Sequence, residues 1–423
     1  MTEQGTEQRI RAALAEIVEA DWVPVEAINP RKWPSAVLAA AAVAAIVAVI
    51  ALTPLWPGKD GTPVAGADGR PSLPERLPSY SWVQGSLDGP FGRAIALYNN
   101  GTGHEDWGFW QVIVAGADRD SVRRIDAAML EGYPSDLARR LSPDGTKVAI
   151  GGEDDRIRIL DLITGATRAF PVPHGMTTAP LAISPDGRRL AFASFPEIAS
   201  EGTLYLLDLD SGVVSSPLGP VSGAAAFSPD GTRLAVHTWT VRGYTISVIG
   251  LDGELRWRQP VEESTQLSAN SWSPDGKFLV TMHYSRGYRV LDAENGWEAR
   301  IAIPADVLPG CGGEAVLGWR SPTVVLLSDG DVSGTSSNLI TEVDLANEQT
   351  RVLSRFDVGK LDDLAVCGVQ LATALVPEMV TRPGSDPDRG TWPLWAVITA
   401  GVASVLVLLP AALWMFRRRR TRV

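Results

Sequence analysis

Apolar positions along this chain follow two unlike patterns. Residues 35–56 and 392–416 run without a charged side chain, and each run matches the roughly 20 residues a helix needs to cross a bilayer. A helix apolar on every side has to be sheathed in lipid or in protein. A buried core helix is the alternative, and a membrane span is the expectation. Between the two runs, apolar and polar residues alternate over short stretches, as in Ile157-Arg158-Ile159 and Tyr288-Arg289-Val290. That is the period of half-buried strands. Near the start, Ile10, Ala13, Leu14, Ile17 and Val18 share one face of a predicted helix that Pro24 ends.

The strand-like region is punctuated by one motif. It stands at Ser142-Pro143-Asp144-Gly145, Ser184-Pro185-Asp186-Gly187, Ser228-Pro229-Asp230-Gly231 and Ser273-Pro274-Asp275-Gly276, at spacings of 42, 44 and 45 residues. Weaker copies are Ser86-Leu87-Asp88-Gly89 and Ser321-Pro322. Proline pre-sets φ, the aspartate carboxylate caps the turn, and glycine takes the left-handed conformation that closes a hairpin. This accounts for the aspartates without a calcium site, which would also need alternating acidic ligands. A second Asp/Gly turn signal interleaves with the first near residues 116–120, 161–165, 208–212, 250–253, 292–296 and 344–347. Each unit thus holds four strands in 40–50 residues, the mark of a β-propeller blade. The expectation is an all-β, six-bladed propeller of four-stranded blades, seven being possible, flanked by two transmembrane helices. Residues 363–375 read as one more strand. It either pairs with residues 80–83 to close the ring or begins a partial seventh blade, since an open ring would expose strand edges.

These residues resemble the WD-like repeats of bacterial TolB-type propellers, in which a Ser-Pro-Asp-Gly turn precedes a short apolar strand and a later strand ends in Asp-Leu-x-x-Gly. The resemblance spans residues 80–356 and is strongest over 136–300. The Gly-His and Trp-Asp signatures of true WD repeats are missing. The likeness implies a ring of about six blades and is specific for fold, not for function.

The predicted order is a cytoplasmic segment (1–33), a span (34–56), an extracellular linker (57–79), the propeller (80–376), a linker (377–390), a second span (391–416) and a basic cytoplasmic tail (417–423). Arg31, Lys32 and Trp33 precede the first run, and Arg417–Arg420 follow the second. By the positive-inside rule both termini are cytoplasmic and the propeller is outside, at the cell membrane. A cleaved signal peptide competes for the first run, but more than 30 residues precede it, long for such a leader. The net charge is −11, with −2 in residues 1–33 and +5 after Phe416, which leaves −14 between them. So acidic a middle excludes nucleic acid as a partner, whose binding relies on Lys and Arg. The two cysteines, Cys311 and Cys367, both fall in the external segment, where a disulfide stapling the end of the ring is expected.

Candidate chemistry is sparse. No Gly-x-Ser-x-Gly elbow and no phosphate-binding glycine loop occur, and no cofactor or metal is expected. His237 and His283 follow their turn glycines by six and seven residues, an offset that puts them on opposite sides of their blades. Trp272 and Trp319 end first strands and are expected between blades. Trp107, Trp110 and Trp239 lie in or beside loops and are the surface-contact candidates. The functional expectation is a non-enzymatic binding, sensing or scaffold module for an envelope protein or ligand, held in the lipid bilayer, with residues 6–20 free to meet a cytoplasmic partner. Two alternatives stay open. One is a propeller enzyme of lactonase or lyase type, with acidic and histidine residues converging on a channel mouth. The other is a regulator of an extracytoplasmic-function sigma factor through residues 1–33.

Overall fold

The computed structural model describes residues 69–77, 87, 89–100, 111–128, 139–152, 155–172, 177–195, 202–215, 217–240, 243–308, 314–330, 338–356, 366–384 and 387–390. Both apolar runs, the segment 6–20 and the basic tail lie outside them. Among the described residues no helix is long and apolar enough to cross a membrane.

Six sheets form the ring. From the inside outwards, blade 1 is Val366–Leu371, Ala94–Asn100, Gln111–Gly116 and Val122–Arg124. Blade 2 is Arg139–Leu141, Lys147–Ile150, Arg156–Asp161 and Thr167–Pro171; blade 3 is Thr177–Ile183, Arg189–Phe195, Gly202–Asp208 and Gly219–Val221. Blade 4 is Ala224–Phe227, Arg233–Thr240, Gly243–Gly250 and Leu255–Val261. Blade 5 is Thr265–Trp272, Phe278–His283 and Gly287–Asp292; blade 6 is Val316–Ser321, Val324–Gly330, Asn338–Asp344 and Gln349–Phe356. First strands of successive blades touch in a closed cycle, the first strand of blade 1 meeting those of blades 2 and 6.

A blade is buried on both sides, so its alternating pattern is apolar toward both neighbours. Ile246 and Val248 of blade 4 pack with Leu267, Trp272, Leu279 and Leu291 of blade 5. Phe192, fully buried between blades, contributes about 1.5–3 kcal/mol by its burial. Trp272 and Trp319 are buried at these interfaces as expected. Their indole N–H groups donate to the carbonyls of Ala226 (3.1 Å) and Asn270 (3.0 Å) of the preceding blade. Blade 5 departs from the four-strand expectation. After the Leu291–Glu298 bridge the chain turns aside, and Ile301, Ile303 and Val307 pack toward blade 6 instead.

The Ser-Pro-Asp-Gly turns form as the sequence predicts, with φ between 67° and 71° at Gly145, Gly187, Gly231 and Gly276. The serine, to which the motif reading gave no role, is a second cap. The Ser142 hydroxyl donates to Asp144 Oδ1 at 2.6 Å and accepts the Lys147 N–H at 2.9 Å. Ser184, Ser228 and Ser273 repeat the arrangement. Where Asp186 accepts the Ser184 hydroxyl, that bond and the Arg188 N–H outweigh desolvation and hold its carboxyl below the usual range.

Closure overturns the seventh-blade expectation. The strand Val366–Leu371 does not start a seventh blade. It becomes the innermost strand of blade 1, antiparallel to Ala94–Asn100, with Leu371 opposite Ala96. Residues 80–83, the expected partner, lie outside the described residues. Of the weak copy Ser86–Gly89, Leu87 and Gly89 are among the described residues: Leu87 donates its N–H to the Arg124 carbonyl, and Gly89 lies against Gly165. The ring also takes in residues beyond the bounds 80 and 376. Ser72–Pro74 pairs in parallel with Val380–Arg382, and Arg76–Leu77 pairs with the outer strand of blade 6. Arg382 is buried there and reaches both Ser72 and Asp120.

Candidate functional site

Strands alternate in direction, so first-to-second and third-to-fourth turns share one end of the ring. The second-to-third loops and the inter-blade connections share the other. The first and last described segments meet on the turn-bearing side of blade 1, where Ser72 donates its N–H to the Ala117 carbonyl and Asp388 pairs with Arg123.

The axis is occupied by protein. Arg140, on the first strand of blade 2, forms an ion pair with Glu314, just before the first strand of blade 6. Blade 1 separates those blades, so the contact crosses the centre of the ring. The other Glu314 oxygen accepts the Ala269 N–H of blade 5 at 2.7 Å. Beside it, the Gln370 side chain receives the Leu141 N–H and donates to the Arg139 carbonyl, joining the closing strand to blade 2. The enzyme alternative called for acidic and histidine residues at a channel mouth. The axial pair is an arginine with a glutamate, and the two described histidines lie one strand further out.

Those histidines converge. His237 shares a side of its strand with Ala235, and Ala235 packs against blade 5. His283 shares a side with Leu279, which packs against blade 4. The one-residue offset read from the sequence does place them on opposite sides of their own blades. Because the blades are neighbours, both side chains then face one interface, at its loop-bearing end. The rest of this rim was not foreseen. From blade 4, Tyr244 stacks on His237 with centroids 6.0 Å apart and meets Trp239 at 6.4 Å. Trp239, a predicted contact residue, is 40% exposed, and its N–H donates to the Ser222 hydroxyl at 2.7 Å. Tyr284, in the loop after the second strand of blade 5, is 50% exposed and accepts a hydrogen bond from Gln266, whose strand partner Met282 packs toward blade 6, so this ring stands on the other side of blade 5 from His283. Glu262, on the connection between the blades, gathers Arg286 at 2.5 Å, His283 at 3.5 Å and Arg289 at 3.6 Å.

His237 is 8% exposed and its Nε2 has no hydrogen-bond partner. Burial pushes its pKa below the ordinary histidine value, against an opposing backbone hydrogen bond with Ser222. The ring is therefore neutral at pH 7, with a bare nitrogen beneath the aromatic pair. Strand register makes this cluster, and a sequence pattern could have found it only through side-chain parity on paired strands: His237 and Trp239 opposite Ile246 and Tyr244. Trp107, Trp110 and Cys311 lie outside the described residues. Cys367 lies on the closing strand. Among the described residues no group of three or more His, Cys, Asp or Glu is placed to hold a metal.

Six blades closed by a strand from late in the sequence, with an Arg140–Glu314 ion pair linking blades 2 and 6, define a closed β-propeller. Solved structures of similar fold include TolB from Acinetobacter baumannii, 16% identical, with a TM-score of 0.46 over 66% of this chain and 67% of that one. A putative TolB from Agrobacterium tumefaciens is 14% identical, with a TM-score of 0.43 over 66% of this chain and 99% of that one. The β-propeller domain of the Trilobed protease from Pyrococcus furiosus is 14% identical, with a TM-score of 0.38 over 53% and 70%. At such identities the likeness concerns fold alone. No protein-family model matches the sequence, and comparison with curated proteins finds no match.

Proposed function

We propose that this protein is a membrane-anchored, non-enzymatic binding module whose contact surface is the rim between blades 4 and 5. The observation that carries the reading is the coincidence there of exposed Trp239 and the adjoining Tyr244 ring with the buried, unpartnered Nε2 of His237. Exposed aromatic rings supply contact area at low entropic cost, and a buried polar atom without a partner is costly until a ligand satisfies it. The uncharged runs 35–56 and 392–416 are the anchors. The external segment is oxidising, with a bridge between Cys311 and Cys367. That pairing is favoured because Cys367 sits on the first strand of blade 1 and Cys311 stands five residues before Val316, where that of neighbouring blade 6 begins.

Photocrosslinking in intact cells tests the surface. A crosslinker at residue 239 should form adducts, and one at residue 213, on the turn-bearing end, should not. Adducts confined to residue 213 would reject the rim. Topology is read separately by thiol labelling of R70C, expected outside, and R420C, expected inside. Labelling of both on one side would reject the two-span arrangement.

A further inference from the structure

The rim's chemistry selects among classes of ligand, and we infer that it binds a saccharide. This rests on the reading of the rim as the contact surface. One ring nitrogen of His237 is engaged by the Ser222 backbone and the other, Nε2, is bare. A neutral imidazole in that state is a hydrogen-bond acceptor, so the ligand must bring an O–H or N–H to a buried point. Beside it, Trp239 and Tyr244 offer ring faces to an apolar C–H surface. Beside them stand Glu262, next in the chain to the Val261 that pairs with Tyr244, and its arginines Arg286 and Arg289, planar groups with paired donors or acceptors. A pyranose has both requirements at once: a C–H face to lay on an aromatic ring, and hydroxyls at its edge that donate and accept.

A folded protein partner fits less well. The core of a protein interface is depleted of charge, whereas Glu262 gathers two arginines and a histidine next to the aromatic pair. Nor are aliphatic anchors present. Among the described residues the exposed large aliphatic side chains are Ile163, Val213, Leu255 and Val352. The first three stand at the turn-bearing end of the ring, and Val352 stands on the outer strand of blade 6.

The test is calorimetric titration of the full-length protein in detergent micelles with a panel of neutral and N-acetylated mono- to tetrasaccharides, alongside unstructured peptides. At least one saccharide should bind. W239A and H237F should each weaken it about tenfold, the equivalent of about 1.4 kcal/mol. H237F keeps an aromatic ring against Tyr244 but removes Nε2. V213S should leave binding unchanged, and melting temperatures establish that each variant is folded. Absence of binding across the saccharide panel, or saccharide binding that survives both rim variants, overturns the proposal. Peptide binding abolished by W239A and H237F also overturns it, while leaving the rim as the contact surface. Failure of the rim itself shows differently, as crosslinks from residue 213 and none from residue 239.

Discussion

Four turn glycines share one motif and nearly one φ, yet replacing them with alanine should not cost the same. At Gly187, with φ +69°, an added Cβ meets nothing within 4 Å. G187A therefore carries only the left-handed penalty of roughly 1–2 kcal/mol. That is partly offset by about 0.4–1 kcal/mol from a less flexible unfolded chain, so the net loss is about 1 kcal/mol. At Gly145, with φ +70°, the same Cβ would stand 2.1 Å from the Ala94 carbonyl oxygen and 3.1 Å from the Ala372 Cβ. Both neighbours belong to the ring closure. Ala94 opens the strand that receives the closing strand and donates its N–H to the Gly145 carbonyl at 2.8 Å. Ala372 follows the closing strand directly. Relieving the contact needs a backbone shift of more than an ångström, which loses that hydrogen bond, about 1 kcal/mol, and strains the packing by about 1–3 kcal/mol. G145A should thus cost about 3–5 kcal/mol in total, some 2–4 more than G187A. Urea denaturation of the full-length protein, followed by tryptophan fluorescence and far-UV circular dichroism, measures the difference. Equal midpoints for the two variants would refute the claim that the turn at Gly145 seats the closure.

Three further outcomes are expected. E314A should destabilise by about 3–5 kcal/mol, because it leaves the Arg140 charge buried without its counter-ion, and the paired change R140M/E314L should recover much of the loss in the same denaturation assay. Glu348 takes φ +59° and donates its N–H to the Asp344 carbonyl, where blades 2, 3 and 5 use Gly165, Gly212 and Gly296. E348G should therefore raise stability by about 0.5 kcal/mol, the left-handed penalty relieved less the entropy of glycine; a lowered melting temperature would contradict it. The buried His237 ring has its pKa lowered, so below about pH 6.5 the unfolded chain takes up a proton that the folded chain refuses. Stability from this group is full above that pH and falls as pH drops through it. H237F should flatten that part of the decline in urea midpoints measured from about pH 7.5 to 5.5, and an unchanged slope would show that His237 is not the group responsible.

Much of this architecture is written locally. A Ser-Pro-Asp-Gly turn needs only its own residues and the next two N–H groups, so each copy identifies a hairpin wherever the blade comes to lie. The spacing of 42 to 45 residues then follows from four strands and their connections, and the alternation of apolar residues follows from blades buried on both sides. These local rules determined the fold class, the blade count and the burial of Trp272 and Trp319. They also placed Trp239 at an exposed position and set His237 and His283 on opposite sides of their blades.

What the sequence could not carry is whatever depends on which distant strands meet. Nothing local distinguishes a strand that begins a seventh blade from one that completes the first, because both need the same apolar residues; only the ring's circumference decides, and it left Val366–Leu371 a single open edge, at Ala94–Asn100. The Arg140–Glu314 pair joins residues 174 apart in sequence, and each alone reads as an ordinary surface charge. The rim has the same origin. Two histidines in separate repeats become neighbours because blades 4 and 5 stand side by side. A motif can state which side of its own strand a residue occupies, but tertiary packing supplies the strand it will face.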